Sequence, residues 1–124
     1  MSLTVDVFVL DENDEMRLLD LPPACSDLAG FEDWRTLVWG SERVRALGAR
    51  YFPVLADGDL VAPEQVRDFR RECALLAANL DAIAPPPEPG WSHERLVDGI
   101  SFRLANITDA AERAEDVGGG VLVW

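Results

Sequence analysis

Leu3-Thr4-Val5-Asp6-Val7-Phe8-Val9-Leu10 sets a β-branched residue at every second position, and side chains two apart in a strand share a face. A strand here therefore gathers Val5, Val7 and Val9 on one side. Phe8 and Leu10 make the opposite side partly apolar, which suits a strand covered on both faces. Near the other end, Val121-Leu122-Val123-Trp124 reads as a closing strand after Gly118-Gly119-Gly120. With helical patterns between them, the two end strands are expected to lie close together or to pair in a small sheet.

Outward from the first strand, Asp11-Glu12-Asn13-Asp14-Glu15 forms an acidic loop, and Met16 to Leu21 can return as a short strand that Pro22-Pro23 stops. Phe31, Trp34, Leu37 and Val38 then recur at helical steps, predicting a helix near 31–38. Gly40 ends it. Ser41 is a good N-cap for another short helix, and Gly48 is a good residue to follow its C-terminus. Tyr51 to Leu55 is apolar but contains Pro53, so it reads as an extended or irregular buried segment. Asp57-Gly58 marks a turn.

The strongest helical pattern runs from about 63 to 84. Pro63 suits the first helical position, and Val66, Phe69, Cys73, Leu76, Leu80 and Ile83 form a core-facing stripe, with Glu72 among the polar residues placed off it. Pro85 to Gly90 is a polyproline-type connector, spanning at most about 19 Å at roughly 3.1 Å per residue. A ligand for a proline-recognition domain, through Pro86-x-x-Pro89, is the alternative reading. Ser92 caps the next helix, with Trp91 set to fold back on Leu96. Leu96, Ile100, Leu104, Ile107, Ala111 and Ala114 continue as a stripe. Alternation of Ile100, Phe102 and Leu104 allows a strand at 100–104, but the stripe runs three turns past it and favours the helix. The expected fold is α+β. A small sheet of N- and C-terminal strands packs against two long helices plus one or two short ones, in a single domain over 1–124 with a Pro-rich connector at 85–90.

Composition supports a packed core, with 48% apolar and 27% charged residues in a chain of 124. The charge is unbalanced. Twenty-three acids oppose eleven bases for a net −12, and every base is Arg, a composition that a GC-rich genome tends to encode. Nucleic-acid binding relies on clustered cations that release counterions. Nucleic acid and membrane are therefore not expected as partners, and a basic protein is allowed; the same acidity also serves solubility. Asp6 breaks the first apolar run, which lacks the pattern of a signal peptide, and no stretch of about 18 apolar residues occurs. The chain reads as cytoplasmic.

Catalytic constellations do not emerge. His93 is the single histidine, at the start of a helix beside Glu94, without a nucleophile motif around Ser26, Ser41, Ser92 or Ser101. Gly118-Gly119-Gly120 follows a helix and precedes a strand, the reverse of a phosphate cradle. Asp11 to Glu15 begins like a calcium loop, but Met16 and Pro22 stand where an EF-hand needs Gly and Glu, and Asp57-Gly58-Asp59 is equally incomplete. Cys25 and Cys73 lack metal-site spacing and read as reduced thiols in or near the core. No cofactor and no metal is expected.

Of the four Trp, Trp34 falls on a core stripe and Trp91 near a helix start. Trp39 and Trp124 are candidates for exposure beside acids, as a protein-binding surface offers. Asp11, Glu12, Asp14, Glu15, Trp39 and Trp124 are thus the candidate protein-binding residues. The expected function is a non-enzymatic acidic interaction protein that masks a basic partner, in the manner of bacterial immunity proteins or antitoxins, which it resembles only in size, acidity and aromatic content, with no shared motif. The alternative is a small enzyme or ligand-binding domain with a pocket between helices and sheet. Because neither cysteine spacing nor histidine count builds a closed metal site, chelator and reductant are each expected to leave the melting temperature unchanged. A drop of several degrees with chelator would revive the Asp11–Glu15 loop as a calcium site.

Overall fold

The computed structural model describes residues 2–124 and begins with strand β1 (Ser2–Leu10), on which a five-stranded antiparallel sheet is assembled. β2 (Met16–Leu18) and β3 (Leu28–Phe31) pair with the two halves of β1. They share one edge, since both Val5 N–H, to the Asp27 carbonyl, and Val7 C=O, from Leu19 N–H, point that way. The other edge takes β5 (Gly120–Val123), which in turn pairs with β4 (Leu60–Val61). Mutual hydrogen bonds between Thr4 and Trp124 extend the β1–β5 ladder. The end strands are therefore paired, as the two apolar runs imply.

Between β3 and β4 lie a π-helical turn (Arg35–Trp39) and two short helices, α1 (Glu42–Ala46) and α2 (Tyr51–Ala56). After β4 come a 3-10 turn (Pro63–Gln65), α3 (Val66–Ala77), α4 (Leu80–Ile83) and the long α5 (His93–Val117). Ser41 caps α1 by accepting from Val44 N–H, and Ser92 caps α5 by accepting from Arg95 N–H. Gly118 closes α5 in the left-handed conformation, with Gly119 N–H reaching the Ala114 carbonyl. The long stripe of α5 holds. Ile100, Leu104, Ile107, Ala111 and Ala114 are all buried with Phe69, Cys73 and Leu76 of α3, and residues 100–104 are helical. Arg70 of α3 reaches Glu115 of α5 at 2.6 Å, and this bond holds the Glu115 carboxyl below its ordinary range.

Three local expectations are corrected. The segment 31–38 is helical only from Trp34 onward: Phe31 ends β3, and the turn from Arg35 is π-helical, closed by Gly40 N–H donating to the Arg35 carbonyl at 2.9 Å. A Cβ on Gly40 would strike that same carbonyl, so only glycine allows the closure. The wider turn brings the consecutive Val38 and Trp39 inward and leaves Leu37 exposed.

Tyr51 to Leu55, expected to be irregular, is helical. Pro53 is harmless in a first turn, where its missing N–H has no partner to lose. The three preceding N–H groups, of Arg50, Tyr51 and Phe52, all donate to the Glu72 carboxylate at 2.8–3.1 Å. Glu72, placed by its spacing off the core stripe, is accordingly buried.

The expected helix 63–84 is divided at Ala78-Asn79. Asn79 donates its side-chain amide to the Leu75 carbonyl at 2.8 Å, taking the acceptor that its own N–H would use in a continuing α-helix. Ile83 remains buried beyond the break, whereas Leu80 is only half-buried.

Leu104→Ala and Leu76→Ala are each expected to cost about 2–5 kcal/mol in denaturant unfolding, through lost burial and a residual cavity. Glu72→Ala is expected to cost about 3 kcal/mol, since three donors lose one acceptor, with Glu72→Gln recovering part of it through the amide oxygen. A loss below about 0.5 kcal/mol for Glu72→Ala, the range of an ordinary surface substitution, would remove the capping role.

Candidate functional site

Two surfaces emerge from this architecture. The first is the outer sheet face. Alternation on β1 sends Leu3, Val5 and Val7 into the core under α5, and their partners Val121 and Val123 follow them. Thr4, Asp6, Phe8 and Leu10 point the other way, together with Leu18, Met16, Leu122 and Leu28 through the observed registers. Phe8 and Leu122 are buried there but stand outside the main core cluster. The Phe8 ring lies across Gly120, where a Cβ would overlap both the ring and the Val61 carbonyl. Around this small patch the cover stops. Leu10 is 45% exposed, Met16 43%, Leu18 44% and Leu28 42%. The expectation that β1 is covered on both faces is thus only half met.

The acidic loop turns from Leu10 to Met16 at one end of this face. Its Asp11 carboxylate accepts the N–H groups of Asn13 at 2.8 Å and Glu15 at 3.0 Å, and Asp14 adopts a left-handed φ of 59°. Asp11 is therefore occupied in shaping the turn, while Glu12, Asp14 and Glu15 are exposed around it. Among the described residues, none of these four acids has an ion-pair partner. Arg17 lies between Met16 and Leu18 and points with Val9 to the opposite side.

Trp124 also belongs to the outer face. It is 55% exposed, and its indole N–H donates to Asp6 Oδ2 at 2.6 Å. It pairs with Thr4, however, six residues from Leu10, which places it about 20 Å from the acidic end at roughly 3.3 Å per residue. Trp39 is corrected outright as a surface candidate. It is 2% exposed, donates its indole N–H to the Ala29 carbonyl at 2.8 Å, and packs between Trp34 and Phe52 at ring-centroid distances of 5.9 and 5.2 Å.

The second surface is a groove of about 750 Å³ between the β3 end, the π-helical turn, the proline connector and the start of α5. Phe31, Trp34, Leu37, Trp91 and Leu96 line it, and Pro85 to Pro87 form one wall. Glu32, Asp33 and Glu88 are the charged residues of the lining. Phe31 and Trp34 meet edge to face at 5.4 Å. Trp91 carries the Arg95 guanidinium at 4.7 Å, and Arg103 lies 5.1 Å from the Phe31 ring and 5.6 Å from that of Trp34. Sequence spacing does not reveal this groove. Phe31 and Leu37 read as core positions of a helix, and the prolines read as a plain connector; the Trp91 beside them was the one available hint.

His93 lies 3.0 Å from Asp81 in an exposed contact. Among the described residues, no group of three or more His, Cys, Asp or Glu could hold a metal ion, and no helix is long and apolar enough to cross a membrane. Cys25 is half-buried and Cys73 fully buried. No family model matches the chain, and no similar protein was found among curated proteins or solved structures.

Burial pushes the Cys73 thiol up to about 12, because the thiolate would lose its hydration between α3 and α5. The thiolate is the reacting form, so Cys73 is expected to resist a disulfide reagent at mildly alkaline pH in the native protein and to react once the chain is unfolded. Titration of thiols before and after denaturant measures this. Two fast thiols in the native protein would contradict the packing of α3 on α5.

Proposed function

We propose that the protein is a non-enzymatic docking module that takes a basic protein partner on the outer sheet face, masking it in the manner of an immunity protein or antitoxin. One observation carries this reading: the uncovered apolar strip Leu10, Met16 and Leu18 runs directly into the unpaired acids of the β1–β2 turn. An apolar centre with a charged rim is the layout of a protein interface. The rim charge would act on the encounter rate and the apolar strip on the lifetime of the complex.

A second reading, a ligand-binding domain, is favoured by the groove, whose volume falls within the roughly 300–1,000 Å³ of small-molecule sites. The groove lies beside the sheet at the end of β3, since the interval between α5 and the sheet is filled by core side chains.

Association kinetics with an amphipathic Arg/Lys-rich peptide test the docking reading. Replacing Asp11 and Asp14 by Asn, and Glu12 and Glu15 by Gln, is expected to slow association about tenfold at low salt, with the difference largely erased at high salt, where the Debye length is short. Asn at position 11 retains the oxygen that shapes the turn. Met16→Ser with Leu18→Ser is expected to speed dissociation instead. Neutralising Asp57, Glu94, Asp98 and Asp116, four exposed acids elsewhere, controls for net charge. An equal loss of rate in that control would leave the β1–β2 turn no special role.

A further inference from the structure

We propose that the aromatic groove binds a small organic cation with an apolar body, of the aryl- or alkyl-ammonium class. The inference rests on the ligand-binding reading and is independent of the outer sheet face. Its floor is built for an apolar group. Phe31 and Trp91 present ring surface, the buried Trp34 backs them with a small exposed edge, Leu37 and Leu96 add aliphatic surface, and the proline wall contributes a backbone without N–H donors at Pro85 to Pro87. The surface a ligand body meets here is mostly carbon.

The charged groups of the lining are all carboxylates. Glu32 is held by Arg35 at 2.7 Å. Asp33 and Glu88 have no ion-pair partner among the described residues and are exposed. The same rings already attract cations within the protein, as Arg95 on Trp91 and Arg103 near Phe31 and Trp34 demonstrate. Neither guanidinium belongs to the lining. Their presence against the rings decides the orientation of the ligand. A third positive charge against the rings would meet repulsion, so the ammonium belongs with the unpaired carboxylates of the lining, Asp33 and Glu88, and the apolar body against the rings.

The decisive contrast is among three probes of similar shape: phenylbutylammonium, phenylbutanol and phenylbutyrate. Each is titrated into the full chain while tryptophan fluorescence is followed, since Trp34 and Trp91 line the groove. The ammonium is expected to saturate with about tenfold higher affinity than the alcohol, and the carboxylate to bind more weakly still. Asp33→Asn combined with Glu88→Gln is expected to bring ammonium and alcohol to within about twofold, leaving alcohol binding unchanged. If the alcohol matches the ammonium, or the carboxylate exceeds it, the cation assignment is overturned while a ligand site remains. If none of the three gives a saturable change, the ligand-binding reading of the groove falls as well.

Discussion

The carboxylate of Glu72 joins parts of the chain that otherwise have little reason to meet. Any helix leaves its first N–H groups without internal partners, and a buried helix start must find acceptors for them. α2 meets this demand completely: Arg50, Tyr51 and Phe52 donate to Glu72, and Pro53 has nothing to donate. The dipole of the short helix favours the negative charge at the same place. With α2 fixed against α3, Phe52 is brought to 5.2 Å from both Phe69 and Trp39. Trp39 then abuts Trp34, and Trp34 abuts Phe31 at the groove. A wall of the aromatic groove is thus supported, through a run of rings, by a hydrogen-bonded cap inside the core.

The second constraint is geometric. The main core cluster joins α3 and α5 to the inner residues of β1 and β5. Phe8 and Leu122, outside that cluster, are the outer-face residues that achieve burial, with Phe8 doing so by lying on a glycine. The remaining apolar residues of that face, Leu10, Met16, Leu18 and Leu28, lack a covering layer. Exposed apolar residues scattered singly, as Leu28 is beside Thr4, need no explanation, but the adjacent Leu10, Met16 and Leu18 on one rigid sheet face are a different matter. Rigidity also matters for recognition, because a pleated surface held by antiparallel ladders loses little conformational freedom on docking.

Much of the fold was legible because periodicity reports burial. β1 and the α5 stripe were readable from period two and from helical steps, and Ser41, Ser92 and Gly118 announce helix ends through their own chemistry. The misreadings share a cause. Phe31 carries a helical spacing that β1 overrides by pairing with Leu28–Phe31. Tyr51–Leu55 looks irregular until the distant Glu72 supplies its missing acceptors, and no local pattern predicts a carboxylate twenty residues away. Asn79 stops a helix through one side-chain bond that competes with the backbone. The acidic turn was visible as a charge run, and Trp124 as an exposed terminal aromatic. The groove was not visible, since it is made of residues whose spacing has a simpler local meaning. Trp39 shows the converse error, for a residue at a helix end can be central when the turn there is π-helical.

Charge ties the two surfaces to the fold. The arginines are largely engaged close to home. Arg35, Arg70, Arg71 and Arg113 lie in ion pairs, Arg43 and Arg45 donate to carbonyls, and Arg50, Arg95 and Arg103 lie against rings. These contacts sit mainly on the helical side of the molecule, so the local neutralisation they provide is concentrated there. The β1–β2 turn receives none of it, and its four acids stand within five residues of one hydrogen-bonded loop. Like charges held this close are mutually destabilising in solvent, modestly so at physiological salt. A turn of this geometry requires an Asx-type acceptor at Asp11 but makes no such demand for acids at Glu12, Asp14 and Glu15. Folding therefore accounts for an acceptor oxygen at Asp11, which an Asn would supply as well, and for none of the four charges.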